Sequence, residues 1–222
     1  MRGNFIMNPS PDFVKRKRTG KHPARQDHVC TQARSVAQFP VLRYSPVMKY
    51  LIAYSSQTGN TRALAERMRT VLPAEDCLFF GECTSVPAAA VRDAEIVFAG
   101  FWVYRGSCDP VSAEFLQALR KKTVALFGTA GFGGSEVYFQ RILTAVGQLV
   151  HKSCTLEKPF VCMGKIAPDV LQRYQAELKR DPENERVLRL IENYKAAKTH
   201  PDQQDFQALA AWVEAALVNH SA

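Results

Sequence analysis

The stretch that most constrains the fold is YLIAYSSQTGNT, residues 50–61. Its first five residues are aliphatic or aromatic, and a short apolar run followed by turn residues is typical of a buried strand. Residues 55–61 are rich in Ser, Thr, Gly and Asn, and Leu64, Met68 and Leu72 then recur at helical spacing. The sequence therefore predicts a strand, a polar loop and a helix in direct succession.

A polar loop that leads into a helix can bind an anion. Free backbone N–H groups and the positive end of the helix dipole converge at such a junction, and Ser and Thr hydroxyls add further donors. No Lys or Arg lies between Tyr50 and Thr61, so a phosphate there would be held by dipoles and hydroxyls. The alternative is an ordinary turn whose polar residues serve as helix caps.

Apolar runs alternate with helical patterns along the rest of the chain. Further strands are predicted at residues 78–80, 96–102, 123–127 and 160–163. This alternation predicts an α/β fold, a three-layer, doubly wound, five-stranded parallel sheet of order 2-1-3-4-5. An extra helical segment, residues 168–198, precedes the last helix, for which Thr199 and Asp202 form the predicted capping box.

In such sheets ligands bind past the carboxyl ends of the strands, where the winding reverses. That rule brings together the loops that follow strands one, three and four, residues 55–61, 100–109 and 127–135. Trp102 offers a flat apolar surface for a ring, although it could instead cap the core. The glycines of the third loop allow close backbone approach or simply a flexible loop, and Phe132 among them is expected to touch a ligand or a partner.

Positive charge is concentrated in the first 47 residues, which hold nine of the 29 basic and two of the 21 acidic residues. Their net charge of +7 leaves only +1 of the total +8 for residues 48–222. We predict that residues 1–47 form a disordered extension, with Met48 as a candidate start, and that residues 48–222 form one domain. The alternative is a basic tail that binds nucleic acid or anionic lipid through Lys15–Arg18.

The six cysteines form no C-x-x-C pair, and the five histidines are scattered. The extension also lacks the apolar core of a signal peptide and is no membrane span. We therefore expect reduced thiols, no metal site, no membrane association and a cytoplasmic location.

The string Ser56-Gln57-Thr58-Gly59-Asn60-Thr61 resembles the flavodoxin phosphate loop, S/T-x-T-G-N-T directly after the first strand. The strings GFWVYRGSCD, LFGTAGFGGSEVYF, CMGKIAP and THPDQQD resemble a bacterial flavodoxin subgroup associated with bilirubin reductase. The resemblance covers residues 49–218 and implies a flavodoxin-like fold that binds FMN.

The resemblance also implies which residues contact the cofactor, since flavodoxins stack a Trp from the third-strand loop on the flavin. The implied FMN-binding residues are Ser55, Ser56, Gln57, Thr58, Gly59, Asn60, Thr61, Phe101, Trp102, Val103, Tyr104, Arg105, Gly106, Thr129, Ala130, Gly131 and Phe132. No catalytic residue is implied.

This sequence departs from the usual flavodoxin pattern in three ways. Val103 stands where many flavodoxins have Gly. Arg105 adds a cation that would favour an anionic reduced flavin, and the alternative is a solvated loop charge. The predicted domain is also close to neutral, whereas flavodoxins are usually strongly acidic.

Three functions are compatible with the sequence. The first is an FMN electron carrier between a reductase and a redox enzyme, acting as a monomer or weak dimer. The second is an FMN-dependent NAD(P)H:quinone-type oxidoreductase, although the sequence has no G-x-G-x-x-G fingerprint. The third is a flavodoxin-fold binding or regulatory module.

Overall fold

Strands and helices alternate through the computed structural model, which describes residues 48–133 and 135–218. The predicted extension at residues 1–47 lies outside the described residues. Strands β1–β7 span, in order, Tyr50–Tyr54, Cys77–Glu82, Ile96–Tyr104, Ser107–Cys108, Thr123–Ala130, Thr155–Leu156 and Phe160–Met163. Helices α1–α7 span Asn60–Met68, Ala88–Asp93, Pro110–Ala118, Glu136–Gly147, Pro168–Arg180, Glu185–Ala197 and Gln203–Val218.

The main sheet is parallel and has the order β2-β1-β3-β5, with β6 and β7 both paired to the outer edge of β5. The predicted order 2-1-3-4-5 is confirmed, and the fifth position is shared by two short strands. Pro159 lies between these two strands. Because Pro has no N–H to donate, it interrupts a ladder at that point.

Side chains alternate between the two faces of the sheet and so form two cores. Tyr50 and Ile52 of β1 face a core completed by α1 and α7, whereas Leu51 and Ala53 face a core completed by α3 and α4. All four of these β1 residues are at most 1% exposed. A sheet covered on both faces produces such continuous apolar strands, and the predicted three-layer architecture is confirmed.

Three strands are longer than the sequence pattern predicts, and the first of them, β2, spans Cys77–Glu82 instead of residues 78–80. β3 continues to Tyr104 and pairs with β4 as an antiparallel hairpin, and β5 continues to Ala130. The hairpin turn, Arg105 and Gly106, has φ values of 47° and 83°, as a two-residue type I′ turn requires. Residues 103–104 and 128–130, predicted to follow the strands as loops, therefore belong to strands.

Helix caps fix where the loops end. Asp109 caps α3 by accepting from the Val111 and Ser112 N–H groups, and Ser135 caps α4 by accepting from the Tyr138 N–H. The predicted capping box at Thr199 is wrong. Asp202 Oδ1 instead accepts from the Asp205 N–H at 3.0 Å, and Asp205 Oδ2 accepts from the Asp202 N–H at 2.8 Å, so the box lies three residues later.

A helix that crosses a bilayer has about 20 predominantly apolar residues. None of the helices in residues 48–133 and 135–218 is long and apolar enough to cross a bilayer.

We expect Asp109→Ala to lower the free energy of unfolding by about 2 kcal/mol. The Asp109 carboxylate is 1% exposed and accepts from the Val111 and Ser112 N–H groups, both at 3.1 Å, and from the Ser112 hydroxyl at 2.6 Å. Urea denaturation followed by circular dichroism measures the change. Asp93→Ala is the control, because Asp93 forms an exposed ion pair with Arg92 worth about 0.5 kcal/mol or less. Equal losses in both variants would contradict this role for Asp109.

Candidate functional site

The first loop, residues 55–59, joins β1 to α1 at the carboxyl edge of the sheet. The Ser55 N–H extends the sheet by donating to the Gly100 carbonyl at 3.0 Å, and Ser56 Oγ accepts from the Arg62 N–H at 3.2 Å. Gly59 begins the helix with φ 81° and ψ −5°. A residue with a side chain would be strained in this left-handed conformation, so glycine determines how the chain enters α1.

At the start of α1 a row of backbone N–H donors is unused. Among the described residues, no acceptor receives a hydrogen bond from the backbone N–H groups of residues 57–61. Gln57, Thr58 and Gly59 are exposed to solvent. The loop therefore presents N–H groups at a helix N-terminus, which is an arrangement that favours a bound anion.

The two polar side chains that follow have different surroundings. The buried Asn60 amide donates to Thr58 Oγ1 and to the Lys165 carbonyl, both at 2.8 Å. Thr58 Oγ1 accepts that bond, so its own proton is directed to another acceptor. Asn60 thus ties the first loop to the loop after β7, whereas the exposed Thr58 hydroxyl can donate to a ligand.

The Thr61 hydroxyl lies inside the protein and joins three segments. It donates to the Phe101 carbonyl of β3 at 3.2 Å and lies 3.0 Å from Thr129 Oγ1 of β5. Thr61 is 0% and Thr129 4% exposed. Since Thr61 uses its proton on Phe101, Thr129 must donate to Thr61. The first loop, β3 and β5 are therefore held in one fixed arrangement.

The hairpin at the end of β3 carries an aromatic pair and a cation. The Trp102 and Tyr104 ring centroids are 5.5 Å apart at an interplanar angle of 63°, and the Arg105 guanidinium lies 5.1 Å from the Tyr104 centroid. Trp102 is half-buried, and Tyr104 is 39% exposed. This edge therefore presents flat apolar surface next to a positive charge.

The glycine loop, residues 131–133, follows β5. Asn193 of α6 donates to the Gly131 carbonyl at 2.8 Å and accepts from the Gly133 N–H at 3.2 Å. Phe132 between them is 45% exposed, and its centroid lies 5.6 Å from that of Tyr138 in α4. The loop is therefore held by α6 while it presents an aromatic ring to solvent.

The glycines here make room for neighbouring protein side chains. A Cβ on Gly131 would lie 2.9 Å from Ile166 Cγ1, and one on Gly133 would lie 2.5 Å from Met163 Cγ. A Cβ on Gly128 would lie 2.5 Å from the Phe101 ring. At least part of the reason for glycine at these positions is thus the packing of the domain itself.

The structure brings the three predicted segments to one edge and distributes their side chains between interior and surface. The buried members are Ser55, Asn60, Thr61, Phe101, Thr129 and Ala130. The exposed members are Gln57, Thr58, Gly59, Tyr104, Arg105, Gly106 and Phe132, and the half-buried ones are Ser56, Trp102, Val103 and Gly131.

Sequence reasoning missed two parts of this edge. The loop after β7, residues 164–167, borders the first loop through Asn60 and the glycine loop through Ile166. Its position past a fifth parallel strand was a usable signal. Asn193 gave no signal, since a polar residue on an amphipathic helix is ordinarily solvated.

The described chain also contains cysteines and one cluster of possible metal ligands. The cysteines at positions 77, 83, 108, 154 and 162 are free thiols. Burial raises the pKa of Cys83 to about 12 and that of Cys108 to about 11, so neither is a thiolate nucleophile at neutral pH. Ligand atoms of His200, Asp202 and Asp205 lie within 4.8 Å of one another. The two Asp residues form the cap of α7 described above, and His200 Nδ1 lies 2.6 Å from Asp205 Oδ2.

Comparisons with known proteins agree on one family. A family model described as a flavodoxin domain matches residues 51–214. The flavodoxin-like domain-containing protein BilS of Clostridium symbiosum (strain WAL-14163) is 40% identical over 174 residues, covering 72% of this chain and 92% of that protein. The protein of the same name from Clostridioides difficile (strain CD3) is 30% identical over 175 residues, covering 78% and 99%.

Solved structures of flavodoxins also align with the chain. A short-chain flavodoxin associated with a bacterial microcompartment covers 79% of this chain and 99% of its own, at 16% identity and a TM-score of 0.49. Oxidised flavodoxin 2 from Bacillus cereus covers 78% and 99%, at 17% identity and a TM-score of 0.46.

We expect Thr61→Val and Thr129→Val each to lower the free energy of unfolding by about 1–3 kcal/mol. Thr61→Val removes both buried hydrogen bonds of the Thr61 hydroxyl, and Thr129→Val removes the bond that Thr61 Oγ1 accepts. The double variant should lose less than the sum of the two, with a coupling of about 1 kcal/mol. Urea titrations of the wild type, the two single variants and the double variant measure this coupling energy as a double-mutant cycle. Strictly additive losses would show that the two hydroxyls do not interact.

Proposed function

This chain belongs to the flavodoxin domain family, and from that premise we propose that it binds FMN and carries electrons between a reductase and a redox enzyme. Proteins of this family generally bind a flavin and pass electrons to redox partners. The observation that carries the proposal is the row of unused N–H donors at residues 57–61, which lies beside the aromatic hairpin and the glycine loop.

The first loop suits a phosphate. Five N–H groups and the Thr58 hydroxyl would donate to its oxygens, with the dipole of α1 behind them. The first loop contains no Lys or Arg, so neutral donors would hold the phosphate, as the sequence predicts. Ser55, Asn60 and Thr61 would keep the loop in shape through their own hydrogen bonds to neighbouring segments.

The hairpin and the glycine loop suit a flat ring. Trp102 and Tyr104 would supply apolar faces, and the backbone of residues 129–132 would border the polar edge of the ring. When bound, FMN supplies reversible redox chemistry, while the chain orients the ring, shields it from water and sets its electrostatic surroundings. The Arg105 cation would favour negative charge at this site.

We place the protein between two partners because of its family and its subgroup. The donor would be a reductase, and the acceptor would be a bilin reductase or another redox enzyme, in keeping with the subgroup that the sequence resembles. A near-neutral domain offers little long-range steering, so recognition of these partners would depend on local contacts more than on net charge.

We expect Gly59→Ala to weaken FMN binding about tenfold and to leave riboflavin binding almost unchanged. No atom lies within 4 Å of the added Cβ, and φ is +81°, so the change acts through backbone strain that moves the N–H donors. The loss of one charge-assisted hydrogen bond accounts for about that factor. Quenching of flavin fluorescence by the flavin-free full chain gives both dissociation constants.

Gly106→Ala is the matched control for that measurement. Gly106 has φ +83° and equally open space around its added Cβ, so the backbone strain is comparable. It lies in the hairpin, away from the phosphate donors, and should change FMN and riboflavin affinity by the same factor. A loss of preference for FMN in both variants would contradict a phosphate site at the first loop.

We expect the FMN-loaded chain alone to oxidise NADPH negligibly in the presence of a quinone, and to pass electrons rapidly once a flavodoxin reductase is added. The reason is that a carrier depends on its partner for hydride transfer. Loss of NADPH absorbance measures both rates. Steady turnover without the reductase would favour the quinone-type oxidoreductase, whereas a chain that binds no flavin would favour the regulatory module.

A further inference from the structure

The helical hairpin formed by α5 and α6, residues 168–197, is an excursion between β7 and the last helix. Its two helices pack mainly against each other. One side chain of the hairpin, Asn193, reaches the glycine loop with both of its polar atoms. The hairpin is therefore coupled directly to the edge where we place the flavin.

The two hydrogen bonds of Asn193 constrain the backbone of the glycine loop on both sides of Phe132. The amide donates to Gly131 and accepts from Gly133, so it sets both the position and the orientation of the peptide groups around Phe132. A Gly-Phe-Gly segment has unusually large backbone freedom in the absence of such bonds. Asn193 thus restricts the backbone conformation of a loop whose own residues restrict it little.

The chain before the hairpin is anchored at the same edge. The Gly164 N–H donates to the Ala130 carbonyl, and the Lys165 N–H donates to the His200 carbonyl, both at 3.0 Å. The Lys165 carbonyl in turn accepts from Asn60. The hairpin thus leaves from a segment bonded to the first loop and β5, which places Asn193 against the glycine loop.

We propose that Asn193 is a positioning residue that holds the glycine loop in the conformation that receives the flavin ring. It acts through the backbone of residues 131–133, and this role rests on the proposed function above. Its loss should loosen the ring side of the site and leave the phosphate side intact. Affinity for FMN and for riboflavin should then fall by one common factor.

The test uses Asn193→Leu, which removes both bonds, and Asn193→Asp, which keeps the acceptor for Gly133 but sets a carboxylate oxygen against the Gly131 carbonyl. Asn184→Ala is the matched control. Asn184 caps the same helix by accepting from the Val187 N–H, and none of its hydrogen bonds to described residues reaches the glycine loop. All are full-length chains, with hydrogen exchange measured on the flavin-free form and flavin affinity by fluorescence quenching.

We expect both Asn193 variants to speed amide exchange in residues 131–133 and to weaken FMN and riboflavin binding about tenfold each. Asn184→Ala should alter exchange in α6 alone. Unchanged loop exchange, faster exchange with unchanged flavin affinity, or an equal loss of affinity in Asn184→Ala would each overturn the positioning role.

The wild-type chain separates this inference from the function on which it rests. A wild type that binds FMN, with Asn193 variants that bind it equally well, overturns the positioning role alone. A wild type that binds neither flavin overturns the proposed function and the flavin-positioning role with it. Faster amide exchange in residues 131–133 of the Asn193 variants would still show that Asn193 holds the glycine loop.

Discussion

The buried hydroxyl of Thr61 is the interaction on which the arrangement of the site depends. It bridges the start of α1 to the Phe101 carbonyl and the Thr129 hydroxyl, at a depth where water cannot replace either partner. The parallel register of β3 and β5 places Trp102 opposite Thr129. A fixed Thr61 therefore also fixes where the first loop lies relative to the aromatic hairpin.

Much of the fold follows from local patterns in the sequence. The β1 strand at Tyr50–Tyr54 and the β7 strand at Phe160–Met163 begin and end where their apolar runs do. Asp109 and Ser135 cap helices as their residue types favour. The string at residues 56–61 follows a predicted strand and leads into a predicted helix, and β1 and α1 lie in those places. The residue types in this string did not show that the side chains of Asn60 and Thr61 point into the protein. The partner of Asn60 lies 105 residues away along the chain, and the two partners of Thr61 lie 40 and 68 residues away.

The features that the sequence did not predict depend on contacts between distant segments. β3 runs on to Tyr104 because β4 returns to pair with it, and the positive φ of Arg105 is no property of Arg itself. The true capping box uses Asp202, which the sequence pattern had assigned the role of its downstream partner. Asn193 meets its partners across 60 and 62 residues of chain, and no local pattern encodes such a contact.

These long-range contacts hold the first loop and the glycine loop with unequal strength. The first loop is tied through Thr61 to Phe101 of β3 and Thr129 of β5, which are only 1% and 4% exposed. The glycine loop is tied through Asn193 to a hairpin in which α5 has no buried residue and α6 buries only Val187 and Ala197. Elements with few buried apolar side chains open at lower free energy than the core. The glycine loop should therefore open at lower free energy than the first loop. In the proposed flavin site, the affinity for the ring and the affinity for the phosphate can then change independently.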